Sequence, residues 1–278
     1  MALINTDHYV TGKNRHRPCE DYAISGLEPV PFAIVSDGCS SSPGSHIGAM
    51  LVTLAARKRM QEMIRAGEIF DYEAFGKSVI AEAAAISRSL CLPDTVLDAT
   101  LLTAWVEADY VSVSVYGDGF VIAKQQSESM PRIVEISLES NAPHYLSYHL
   151  DEERNRQYSL QMQGKKIIGS LGRSLGHESD ESISLAYDAP VQYRFSLQEF
   201  STVLIASDGL SSFAGSSGAV PAEEVIREFT AFRNYTGQFL KRRAKRVITA
   251  CEKKSVIQTD DVSLAAIYAS SADESQTQ

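Results

Sequence analysis

Cysteine is sparse and scattered in this chain: Cys19, Cys39, Cys91 and Cys251 form no Cys-x-x-Cys pair. That spacing excludes the common zinc sites, and at 278 residues a disulfide scaffold is not needed to make a core. Basic charge is also short. A net charge of −9 argues against a broad nucleic-acid surface, which requires a positive field. No apolar run approaches the ~20 residues of a membrane-spanning helix. The first residues, Met1–His8, have no basic region ahead of an apolar core, so no secretory signal is read and a cytoplasmic location is expected. The small-residue loop Ser40–Ser42 has no Walker lysine behind it, which sets aside a nucleotide-binding loop. No linker or short repeat divides the chain. One α+β domain over residues 1–270 is expected, with a disordered polar tail over 271–278.

What is present is a recurring acidic strand ending. Phe32–Gly38 reads as a short apolar strand closed by Ser-Asp-Gly, and Thr202–Gly209 repeats the device. Asp260-Asp261 opens a third apolar strand, Val262–Tyr268. Taken singly, Asp-Gly is a favoured way to leave a strand. Taken together, these endings bring several carboxylates to one edge of a β-structure, where they repel unless protons or cations intervene. Hard oxygen donors of this kind suit Mg²⁺ or Mn²⁺.

The remaining periodicities supply a frame. Short strands are expected at Leu3–Val10 and Asp21–Ser25, on either side of the turn Thr11–Pro18. Apolar residues at helical spacing predict helices over Ser45–Arg65 and Tyr72–Leu90, laid as an antiparallel pair on a sheet. Thr100–Glu107, Tyr110–Tyr116, Phe120–Lys124 and Ile133–Leu138 alternate with turn signals and predict an antiparallel meander, in which Gly117-Asp118-Gly119 is a tight hairpin turn. Residues 140–182 are polar and glycine-containing and read as a long excursion, a candidate flap. Strands are expected again at Ile183–Tyr187 and Val191–Leu197, then helices over Ala222–Phe232 and Asn234–Lys253. The second of these carries Lys241-Arg242-Arg243-Ala244-Lys245-Arg246, a solvated basic face on an amphipathic helix.

The order Glu20-Asp21, Ser36-Asp37-Gly38, Gly117-Asp118, Ser207-Asp208-Gly209, Asp260-Asp261-Val262-Ser263 resembles the metal-dependent type 2C (PPM) protein phosphatases, from about residue 12 to 268. The resemblance implies a four-layer α-β-β-α sandwich of two antiparallel sheets flanked by helix pairs. By its motifs, Asp37 would bridge two Mn²⁺ or Mg²⁺ ions. Asp208 and Asp260 would complete one ion's ligands, and Glu20 with the Gly38 carbonyl would serve the other. Asp21 would stand behind them, and Asp118 would take a possible third ion. Asp37, Asp208 and Asp260 would then carry catalysis, with a metal-bridging hydroxide attacking phosphorus directly and the ions offsetting phosphoryl charge. The implied partner is a phosphoserine or phosphothreonine protein, in opposition to a Ser/Thr kinase. Charge and hydropathy leave no nucleic-acid or membrane partner expected, and the sequence does not fix the oligomeric state, a monomer being the first expectation.

The chain departs from the family pattern in three places. Cys39-Ser40-Ser41-Ser42 replaces the histidine and glycines that follow the first Asp-Gly, leaving His46 as the nearest histidine. His16 stands where a phosphate-binding arginine is expected, between Arg15 and Arg17, either of which suits a phosphate. Gly119-Phe120 replaces the usual Ser-Arg after Gly-Asp. These departures keep two other readings open: a regulatory phosphoprotein-binding module, and a small-molecule phosphomonoesterase using the same site.

Overall fold

Residue alternation along Phe32–Asp37 sets the layers. Ile34 joins one apolar core, while its neighbours Ala33 and Val35 join another on the opposite face. The computed structural model describes residues 3–13, 17–125, 128, 130–139, 141–161, 165–171 and 182–270. In chain order the first strands are β1 (Ile4–Thr11), β2 (Asp21–Gly26) and β3 (Phe32–Asp37). Helices α1 (Ser45–Ala66) and α2 (Tyr72–Ser89) follow. Next are β4 (Leu101–Glu107), β5 (Tyr110–Tyr116), β6 (Gly119–Gln125) and β7 (Arg132–Leu138). Helix α3 (Glu152–Gln161) leads to β8 (Lys165–Leu171), β9 (Ile183–Ala186), β10 (Val191–Ser196) and β11 (Phe200–Ala206). A small unit follows, β12 (Phe213–Gly215) and β13 (Gly218–Ala219). The chain then forms α4 (Ala222–Thr230), α5 (Phe239–Lys253), β14 (Ile257–Gln258) and β15 (Val262–Ala269).

Two large antiparallel sheets result, in the orders β1-β15-β11-β6-β7-β8-β9 and β10-β5-β4-β3-β2. Their facing sides share a core of Val35, Leu102, Val113, Val203, Ile205 and Ile267. The outer side of the five-stranded sheet, with Ile34, Leu101 and Trp105, packs on α1 and α2. The outer side of the seven-stranded sheet, with Leu204, Leu264 and Ala266, packs on α4 and α5. The four-layer sandwich expected from the sequence is therefore the architecture observed.

Three expectations need correction. The meander is broken: β4 pairs with β5 and β6 pairs with β7, but β5 and β6 lie in different sheets. The turn at Gly117-Asp118-Gly119 carries the chain across the sandwich rather than closing a hairpin. Gly117 and Gly119 adopt φ of 101° and 129°, values that side-chain-bearing residues rarely take. Secondly, part of residues 140–182 is regular structure. α3 was hidden because Glu152–Arg156 is polar throughout, and β8 extends the large sheet by pairing with β7. Residues 140, 162–164 and 172–181 of that segment lie outside the described residues. Thirdly, the last helix begins at Phe239, not Asn234. The carbonyls of Tyr235 and Gly237 accept the Asn5 side-chain amide, which ties that stretch to β1 as a loop. The tail over 271–278 also lies outside the described residues.

Candidate active site

Strand ends from both sheets meet at one edge of the sandwich, and that is where the acidic residues stand. Asp37 closes β3 and Asp21 opens β2, as register partners. In the facing sheet Asp208 follows β11 and Asp260-Asp261 precedes the adjacent β15. The turn between β5 and β6 adds Asp118. Glu20, Asp37, Gly38, Asp118, Asp208 and Asp260 together line one cleft of about 240 Å³.

Short hydrogen bonds from remote positions hold this edge. Ser207 Oγ donates to Asp21 Oδ2 at 2.7 Å and accepts from the Ser263 amide at 3.0 Å, joining the two sheets. The Asp261 carboxylate accepts from the amides of Lys13 at 2.7 Å and Glu20 at 2.6 Å. Thr100 grips Asp37 on both sides, its hydroxyl accepting from the Asp37 amide and its amide donating to the Asp37 carbonyl. Ser45 Oγ donates to Glu20 Oε1 at 2.7 Å. Beside Asp208 only glycine fits, because a Cβ on Gly209 would stand 1.8 Å from the Asp261 carbonyl oxygen. These contacts aim the carboxylates before any ligand arrives.

The cluster is short of positive charge. Burial, then repulsion from Asp21 and Asp208, holds the Asp37 carboxyl well above its ordinary range. Burial likewise pushes Asp21 up to about 7 and Asp118 up to about 8, and it raises Asp208. Two buried oxygens, Asp21 Oδ1 and Asp208 Oδ1, have no hydrogen-bond partner among the described residues. Lys13 supplies a cation at the rim, with Nζ 2.8 Å from Asp260 Oδ1 and 3.6 Å from Glu20 Oε2. Among the described residues no three such side chains form a ready-made metal cage. The fit to divalent ions rests instead on donor chemistry: hard oxygens, excess negative charge and orphaned lone pairs in one cleft.

The other residues singled out in the sequence fall elsewhere. Arg17 is exposed and lines a neighbouring groove rather than the acidic cleft. Arg15 and His16 lie outside the described residues. His46 does not line the cleft, whereas Cys39, Ser40, Ser41 and Tyr145 do. Sequence reasoning missed Lys13, Thr100 and Tyr145. Lys13 and Thr100 adjoin turn signals and Tyr145 lies inside the polar excursion, so none had a local signature. It also missed Asp98, whose carboxylate accepts from Ser42 Oγ at 2.8 Å, Ser147 Oγ at 2.5 Å and Arg154 Nη2 at 2.9 Å. The Asp98 carbonyl accepts from the Cys39 amide at 2.8 Å, so this residue ties the cleft wall to α3.

With this geometry in view, similarity becomes informative. The family model described as Protein phosphatase 2C matches residues 11–254. Among solved structures, the Mycobacterium tuberculosis serine/threonine phosphatase PstP/Ppp is 17% identical, with a TM-score of 0.54 over 96% of this chain and 99% of that one. A catalytic domain of PstP in complex with two manganese ions is 16% identical, at a TM-score of 0.54 over 98% and 100% of the two chains. Serine/threonine phosphatase Stp1 from Staphylococcus aureus is 12% identical, at a TM-score of 0.57 over 97% and 96%. At these identities the structures speak for the fold. No curated protein matches the sequence.

Proposed function

This chain belongs to the protein phosphatase 2C family, and from that membership and the acidic cleft we propose that it is a metal-dependent phosphatase of phosphoserine and phosphothreonine proteins. The observation that carries the reading is the gathering of Glu20, Asp37, Asp118, Asp208 and Asp260 in one cleft with unpaired buried oxygens. Asp37, Asp208 and Asp260 would hold one divalent ion, and Asp37, Glu20 and the Gly38 carbonyl a second, Mn²⁺ and Mg²⁺ both suiting such oxygens. Ions so held supply the Lewis acidity that makes water a nucleophile near neutral pH and offsets charge on a phosphoryl group.

The chain's own contribution is positioning. Ser207 and the Ser263 amide fix Asp21 against Asp37, and Thr100 fixes the Asp37 backbone, so the carboxylates need little reorganisation on loading. Burial raises Asp37 and Asp208, so cations held there would favour their ionised form. Lys13 balances Asp260 and Glu20 at the rim. The partner on this reading is a phosphorylated protein, the product of a Ser/Thr kinase.

The test is hydrolysis of a phosphothreonine peptide by metal-stripped protein with and without Mn²⁺, beside Asp208→Asn. Turnover that needs Mn²⁺ and collapses in the variant is expected. Folded protein that binds phosphopeptides yet turns over neither peptides nor p-nitrophenyl phosphate would make the chain a regulatory module instead.

A further inference from the structure

The acidic cleft shares a wall with a larger depression. A groove of about 580 Å³ runs between the β1–β2 connection and α5, and Lys13 borders it while reaching Asp260 of the cleft. Apolar side chains of Phe213, Ile248 and Val256 line part of it, and Lys13, Arg17 and Lys245 give it basic charge. Glu252 also faces this groove and is engaged in an interaction of its own.

The basic run on α5 divides by task. Arg243 pairs with Glu228 at 2.7 Å, and Arg242 donates to Asn234 and to the Thr236 carbonyl. Lys245 points to the groove, exposed and without an ion pair among the described residues. Arg17 is exposed in the same way. A chain of net charge −9 thus keeps uncommitted cations beside its most acidic cleft. Positive charge there offsets the field that would repel an anionic substrate and turns the approaching segment toward the cleft.

We propose that this groove is a specificity subsite for an acidic stretch of the phosphoprotein, flanking its phosphorylated residue. Carboxylates of the substrate meet Lys245 and Arg17, and one apolar side chain rests on Ile248 and Val256. The inference rests on the phosphatase reading and adds to it the class of sequence that reads best.

The experiment compares kcat/KM of the Mn²⁺-loaded full chain on three phosphothreonine peptides of equal length, with acidic, neutral or basic flanks. The acidic peptide is expected to be preferred over the neutral one by about tenfold, through KM. Lys245→Glu is expected to remove most of that ratio, Lys245→Ala part of it, and Lys245→Arg none. Equal turnover of acidic and neutral peptides, or an acidic preference untouched by Lys245→Glu, overturns the subsite. The two readings fail separately. Without turnover of any peptide or of p-nitrophenyl phosphate the phosphatase reading falls, and anisotropy of a labelled acidic peptide then decides the groove. Binding must still weaken in Lys245→Glu and persist in Lys245→Arg, and equal binding to all three proteins overturns it.

Discussion

Two sets of buried carboxylates in this molecule are built on opposite principles. Asp98 lies between the helical layer and α3 with its charge answered from within: two hydroxyls and the Arg154 guanidinium reach its oxygens. A few residues away across Thr100, Asp37 faces Asp21 and Asp208, and oxygens of both neighbours stay unpaired. A buried charge is tolerated when the chain supplies its counter-charge, and becomes a demand on the surroundings when it does not. The first arrangement is architecture. The second leaves negative charge that the described residues do not balance.

The sharpest way to break this comparison is to neutralise one member of the under-compensated set. Asp37→Asn should lower metal-dependent kcat/KM by at least about 10²-fold, the scale of losing one preorganised electrostatic group. The same variant should raise the melting temperature of metal-free protein, because it removes a carboxyl whose ionisation burial and its acidic neighbours oppose. A variant that unfolds more easily without metal would place Asp37 among the architectural carboxylates.

Loading with cations should separate the two sets next. Mn²⁺ at ~100 times its Kd should stabilise the wild type by about 2.7 kcal/mol, read as a rise in Tm, and Asp37→Asn should lose most of that rise. Asp98→Ala should do the reverse. It strands Arg154, whose side chain is 26% exposed, so the loss is discounted from a fully buried pair to about 2 kcal/mol. That loss should persist in equal size with and without Mn²⁺, and chemical denaturation under both conditions reads it.

The smallest effect concerns a cation with the same difficulty. Lys166 is buried, donates to the Ala189 carbonyl at 2.8 Å, and is held by burial at about 8, below the ordinary 10.5. Between those values the unfolded chain keeps a proton that the folded chain has released, so stability rises with pH across that window. Lys166→Met should therefore stabilise the protein below pH ~8 by about 1–2 kcal/mol. The advantage should fade as pH approaches 10.5, and a denaturation series over pH measures it. An advantage independent of pH would assign it to packing alone.

Much of this was open to reading in the order of residues. The alternation in Phe32–Asp37 and Phe200–Ala206, the helical stripes of α1 and α2, and the Asp-Gly endings are local patterns, and local patterns survive without coordinates. They sufficed for most of the strands and helices and for the acidic strand ends, while the four layers and a site role for Asp118 came from the family resemblance. Other features depended on where the chain goes next. The sequence around Gly117-Asp118-Gly119 suits a hairpin and a sheet-to-sheet crossing equally well, and only the partners of β5 and β6 choose between them. Helix α3 has no apolar stripe to betray it.

The chain by itself therefore determined which residues are acidic, which strands they terminate and which faces those strands bury, because side-chain chemistry and periodicity are properties of neighbours in sequence. Only the tertiary structure decided that Ser207 would brace Asp21 across 186 positions, that Lys13 would reach Asp260 across 247, and that Lys245 would face the groove beside them. Those contacts join residues distant along the chain, and no local pattern records the closure that brings them together.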